Sequence, residues 1–122
     1  MEVNEKLDVY SFGVLTLEVV MGRHPRDLIA SLASSSLDSS PRSSHGILLK
    51  DGLDKRLPLP RSQEEEVVLV VKLALACLHP SPRCRPTMEQ VSVALSKQKS
   101  HLQNPFLTIT LGQLLDENCL NA

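Results

Sequence analysis

Aromatic side chains are scarce in this sequence: one Tyr, two Phe and no Trp among 122 residues. Single-stranded nucleic acid is usually gripped by rings on which bases stack, so the composition speaks against that class. Charge of one sign is not in excess either, with 13 Lys+Arg against 14 Asp+Glu. There is no basic field for a phosphate backbone and no polybasic run for a membrane surface. The five glycines, Gly13, Gly22, Gly46, Gly52 and Gly112, are too far apart to form a phosphate-cradling loop. The three cysteines, Cys77, Cys84 and Cys119, form no CxxC pair. Their odd number and scattered positions fit a reducing compartment, not a disulfide scaffold.

Long apolar runs are also missing. Val9–Met21 is interrupted by Ser11, Thr16 and Glu18, and Val67–Leu78 carries Lys72. Each falls short of the roughly 20 residues a membrane-spanning helix needs. The opening MEVNEKLDVYSFGV has Glu2, Glu5, Lys6 and Asp8 where a signal peptide would be apolar. No HExxH, EF-hand loop or GxSxG occurs. His24, His45, His79 and His101 are isolated and read as solvated side chains more readily than as ligands. Cys84 lies between Arg83 and Arg85, which leaves two readings, a thiol of lowered pKa or an inert one.

What is present is one domain's length of helical pattern. From Lys6 to Gly22 apolar residues fall on almost every face, the mark of a helix central to a fold. Gly22 is placed to end it. A short amphipathic helix is predicted from Pro25 to about Ala33. Ser34–Ser44 is serine-rich, read as a solvated linker or as a set of phosphoacceptors. Gly46–Leu57 suggests short helical turns ended by Pro58 and Pro60. Ser62-Gln63-Glu64-Glu65 matches a capping box opening a helix to about Leu78. Thr87-Met88-Glu89-Gln90 matches another, opening a helix to about Lys99 with Met88, Val91, Ala94 and Leu95 on one face. Lys97 and Lys99 suit its negative end. Beyond Ser100, Leu107–Leu111 is expected as a short strand, a short helix or loose chain.

Two stretches are more specific than any spacing. KLDVYSFGVLTLEVVMGRHP, Lys6 to Pro25, resembles the segment of eukaryotic protein kinases that forms the central helix of the C-lobe. ALACLHPSPRCRPTMEQV, Ala74 to Val91, resembles the kinase segment ending in an arginine before the last helix. Their wording is similar to plant leucine-rich-repeat receptor-like serine/threonine kinases, over about residues 2–99. The TITLGQLL of the tail also looks like the end of such receptors.

The resemblance implies a mainly α fold: a helical C-terminal portion of a protein-kinase C-lobe, about four main helices plus loops, as an incomplete domain. It implies kinase-derived residues 1–99 and a C-terminal tail, residues 100–122. Asp8 matches the family aspartate that accepts hydrogen bonds from the catalytic-loop backbone, with a plain N-cap as the simpler role. Arg85 matches the arginine that pairs with the glutamate of an Ala-Pro-Glu motif, and a guanidinium suits such a bidentate pairing. The family's glycine-rich loop, strand lysine, His-Arg-Asp loop and Asp-Phe-Gly precede the matched region and do not occur in this chain. Met1 therefore reads as an internal position of a longer kinase. ATP and Mg are expected as cofactors of the parent family, with none held here and no catalysis by this chain alone.

Expected partners are the rest of the kinase domain or another kinase, with protein substrates for the parent. Nucleic acid and direct membrane insertion are not expected. The implied location is cytoplasmic, at the inner side of the plasma membrane for the parent receptor. The alternatives are a non-catalytic interaction or decoy module and a pseudogene product. A buried arginine without its partner typically costs about 3–5 kcal/mol, so the isolated chain is expected to be marginally stable. Arg85 is expected to point at an exposed gap or to borrow a carboxylate such as Glu89 or Glu18.

Overall fold

The computed structural model describes residues 5–33, 48–56, 58–97 and 106–118, with the backbone alone for 31–33 and 115–118. Among the described residues there are six α-helices and no strand: α1 Glu5–Met21, α2 Arg26–Ala33, α3 Leu49–Gly52, α4 Glu64–Cys77, α5 Met88–Ser96 and α6 Leu111–Asn118. The fold is thus helical, as the sequence pattern and the resemblance implied. The serine-rich stretch, His45, His101, Lys99 and Cys119 lie outside the described residues.

Helix α4 is the centre. It buries Val68, Val71 and Leu75, with Leu78 just past its end, along one seam and Ala74 and Cys77 along another, so it is covered on two sides. Helix α1 packs on one side and α6 on the other, while α5 touches it more lightly. The close approach of α1 rests on Gly13. A Cβ there would lie 2.8 Å from the Ala74 carbonyl oxygen and 2.9 Å from Cys77 Cβ. Glycine removes that collision and lets two helix backbones nearly touch.

Helix α1, expected to be central, is covered along one side among the described residues. Val9, Gly13 and Leu17 are buried at helical spacing. On the far side Leu7, Leu15 and Val19 are 52%, 60% and 64% exposed. The apolar content of α1 is all round, but among the described residues its partners, chiefly α4, lie along one face.

Helix ends follow local chemistry in part. Gly22 closes α1 at φ +75, its N–H donating to the Glu18 carbonyl at 2.9 Å. Pro25 is buried and its carbonyl accepts from Ile29 N–H at 3.0 Å, opening α2. Thr87 and Gln90 form the predicted capping box, with Thr87 Oγ1 accepting from Gln90 N–H at 3.0 Å and Gln90 Oε1 accepting from Thr87 N–H at 2.9 Å.

The box expected at Ser62 does not form. Pro60, extended at φ −62 and ψ 147, opens a 3-10 turn over Arg61–Gln63. Ser62 therefore already lies inside helical chain, and Gln63 takes the N-cap position of α4 without a side-chain bond. The predicted face of α5 is also narrower than expected. Only Val91 is buried, while Met88 and Leu95 are 42% and 46% exposed. Lys97 turns extended and ends the helix at Ser96.

Residues 106–114 of the tail pack into the body. A 3-10 turn over Phe106–Thr108 leads to Thr110, which pairs with Leu48 in an isolated antiparallel bridge, and then to α6. Phe106, Ile109, Leu111 and Leu114 are all buried and join the large apolar cluster of α1, α2, α3 and α4. Burying each such side chain is worth about 1.5–3 kcal/mol before ordering costs. A smaller cluster of Val9, Cys77 and Val91, with Phe12 against it, ties α5 to the start of α1.

Candidate functional site

The chemistry-bearing residues gather where the first turn of α1 meets the connection between α4 and α5. That connection is shaped by prolines. Pro82 begins a 3-10 turn over Pro82–Cys84, closed by Cys84 N–H donating to Ser81 and Arg85 N–H to Pro82, at 3.1 and 3.2 Å. Pro86 disfavours helix at the residue before it, and Arg85 is extended at φ −75 and ψ 142. Its side chain is thereby sent back across the start of α1.

Arg85 is half-buried. Its Nε donates to the His79 carbonyl at 2.7 Å and its Nη1 to the Lys6 carbonyl at 3.1 Å. The guanidinium carbon stands 4.8 Å from the centroid of the Tyr10 ring. A planar cation satisfies this mixed set, in-plane donors to two carbonyls and a flat face to a ring. Lys6 Nζ in turn donates to the Arg85 carbonyl at 2.7 Å. The two residues thus clasp each other through their backbones.

The expectation of an exposed gap or a borrowed carboxylate is therefore corrected. Among the described residues neither Glu89 nor Glu18 makes an ion pair with Arg85, and Glu18 faces His24 at 3.6 Å. Two neutral carbonyls and a ring take the place of the carboxylate. His79 also holds the turn by its ring: Nδ1 accepts from Ser81 N–H at 3.0 Å, which requires that nitrogen to be unprotonated.

Asp8 lies in the first turn of α1 and is exposed. The carboxylate suits the positive end of the helix. No ion pair joins it to Arg85 among the described residues. Cys77 is fully buried beneath this edge. Burial pushes its thiol up to about 11, against a smaller pull from Arg85 in the other direction. Cys84 is exposed. Among the described residues no group of three His, Cys, Asp or Glu side chains converges to hold a metal ion. Among them, too, no helix is long and apolar enough to cross a membrane.

A second polar cluster holds the other end of α1. Asp54 N–H donates to the Val20 carbonyl at 2.9 Å. Its carboxylate packs on Gly22, where any Cβ would collide with it. Arg56 grips that carboxylate with Nε and Nη2 at 3.0 and 2.9 Å. Those side-chain hydrogen bonds, with a further one from the Arg56 backbone, hold the Asp54 carboxyl below its ordinary range.

Sequence reasoning missed Tyr10, Lys6 and His79 as partners of Arg85. The available signal was the spacing of Lys6 and Tyr10, which puts them on one helical face. It also missed the cap of α6. Thr110-Leu111-Gly112-Gln113 repeats the Thr87 pattern, and Thr110 N–H donates to Gln113 Oε1 at 3.1 Å while Gln113 N–H donates to Thr110 Oγ1 at 3.2 Å.

No family model matches this chain, and no solved structure matches it. Curated proteins do. It is 50% identical over 97 residues to the MDIS1-interacting receptor like kinase 2 of Arabidopsis thaliana, which covers 79% of this chain and 9% of that protein. It is 44% identical over 97 residues to the probable leucine-rich repeat receptor-like protein kinase At1g35710 of the same plant, covering 79% of this chain and 8% of that protein. The receptor-like serine/threonine-protein kinase At2g45590, also of Arabidopsis, is 38% identical over 110 residues, covering 85% of this chain and 16% of that protein. The chain spans less than a fifth of the length of each of these relatives. With its helical architecture, it is homologous to the plant leucine-rich-repeat receptor-like serine/threonine kinases and matches a C-terminal fragment of the kinase.

Proposed function

We propose that this chain supplies framework, and no reacting group, to a receptor-like serine/threonine kinase. The parent reaction is transfer of the ATP γ-phosphoryl group to Ser/Thr hydroxyls of proteins, with Mg as the metal. The reading assigns none of this chain's residues to ATP or Mg. The observation that carries the reading is the uncovered side of α1, where Leu7, Leu15 and Val19 lie open on the same helix as the exposed carboxylate of Asp8. A helix apolar all round is built to be enclosed. In this reading the preceding part of the kinase closes over that side, and Asp8 accepts hydrogen bonds from its catalytic-loop backbone. Arg85 then exchanges carbonyl partners for the glutamate of the Ala-Pro-Glu motif. The kinase-derived part is residues 1–99, carried by a cytoplasmic domain of a plasma-membrane receptor.

Titration calorimetry of this polypeptide with Mg-ATP tests the reading. The expected result is no binding up to millimolar nucleotide, and micromolar binding refutes it. The same open side of α1 also suits a decoy that docks on a full-length kinase. A pulldown with Leu15→Asp as control separates the two: a decoy captures kinase through that side, whereas the framework reading expects no capture in trans.

A further inference from the structure

The segment between α3 and the turn after it is held from two directions. On one side Asp54 N–H donates to the Val20 carbonyl, and its carboxylate rests on Gly22 at the end of α1. On the other side Leu49 N–H donates to the Ile109 carbonyl at 2.8 Å, and Leu48 bridges Thr110. Leu49, only 1% exposed, is buried between these two attachments.

Thr110 has two tasks at once. It is the bridge partner of Leu48, and it is the hydroxyl cap of α6. The start of α6 and the hold on Leu48 therefore depend on the same residue. Beyond it, Leu111 and Leu114 anchor α6 among the buried residues of the large cluster. Among the described residues, the second cluster, Val9, Cys77 and Val91, contains none from 106–114 or from 48–56.

We propose that Phe106–Asn118 is a strap that sets the position of residues 48–56 and, through Asp54, the last turn of α1. Docking of the tail on α4 draws Leu48 and Leu49 against Ile109 and Thr110. That placement brings Asp54 under Gly22, where the chain turns toward α2. Release of the strap frees the segment and loosens the Gly22 turn, while the Arg85 end of α1 stays as it is. Residues 106–118 and the connector after α1 are thus one conformational unit.

Amide hydrogen exchange on the full chain tests this, using the double variant Thr110→Ala with Gln113→Ala. Both changes remove the cap and keep every apolar anchor. Loss of a cap speeds local opening by about fivefold to tenfold. Exchange at Leu49, Asp54 and Gly22 is expected to accelerate by that factor together, with Val91, bonded to the Thr87 carbonyl, unchanged. By reciprocity, Asp54→Ala is expected to accelerate Leu49. Acceleration at Leu49 without Asp54, or no acceleration at either, overturns the proposal. So does equal acceleration at Val91, which would make the tail a contributor to global stability alone.

Discussion

Replacing Gly13 by alanine puts the packing of α1 on α4 to a direct test. The added methyl would sit 2.8 Å from the Ala74 carbonyl oxygen and 2.9 Å from Cys77 Cβ. Ordinary contact needs about half an ångström more, and the nearest obstacle is backbone. That oxygen is already engaged, accepting from Leu78 N–H at 3.2 Å, so it cannot swing aside without disturbing the end of α4. Forcing a methyl group into a full core costs about 1–3 kcal/mol. Against this stands the gain of about 1 kcal/mol from replacing a mid-helix glycine with alanine. Because the obstacle is backbone, the cost falls in the upper part of that range, and the net expectation is a loss of about 1–2 kcal/mol, seen as a fall of about 5–10 °C in the melting midpoint followed by far-UV circular dichroism. Gly52→Ala is the control, since a Cβ there meets nothing within 4 Å. It is expected to be neutral or to stabilise by about 0.4–1 kcal/mol. A Gly13→Ala protein that melts at or above the parent temperature would show that the two helices do not touch here, and the argument would fail.

Arg85→Ala removes two hydrogen bonds and the stack on Tyr10, and should cost about 2–3 kcal/mol in urea denaturation. Arg85→Lys should recover less than half, because an ammonium cannot serve both carbonyls and the ring; full recovery would refute the geometry. Cys77 should resist alkylation at pH 8 while Cys84 reacts, as read by peptide mapping of the native chain. The Cys77 thiol is raised, so its stabilising effect is complete below the ordinary value of 9.0 and is lost as pH climbs toward about 11; a flat stability profile across that range counts against its burial. Asp54 is shifted the other way. Its contribution is present above the ordinary 3.8 and disappears as pH falls through its lower folded value, so Asp54→Asn should flatten the acid limb of the pH–stability curve.

What could be read from the sequence was local. The Thr87 box needs only residues three apart, and the Gly22 terminus needs only a φ that glycine tolerates, so both followed from short patterns. The Ser62 box failed for an equally local reason: Pro60 starts the helical turn earlier, and the serine falls inside it. The partners of Arg85 had no such signature. Every residue carries a carbonyl, and only the fold selects those of Lys6 and His79. Likewise the composition of α1 announced an apolar helix without saying which side would be covered. That depends on α4, far along the chain, and on whatever meets Leu7, Leu15 and Val19.

The clasp between Lys6 and Arg85 joins residues 79 positions apart. A ribosome adding about 5–20 residues per second needs about 4–16 s to cover that distance. For most of that interval α1 has been made but α4 is not complete, so the inner seam of α1 has no helix to pack on. Nascent α1 is then a natural substrate for chaperones that hold apolar helices. The order of synthesis makes Arg85 the last member of its own clasp to appear, after Lys6, Tyr10 and His79.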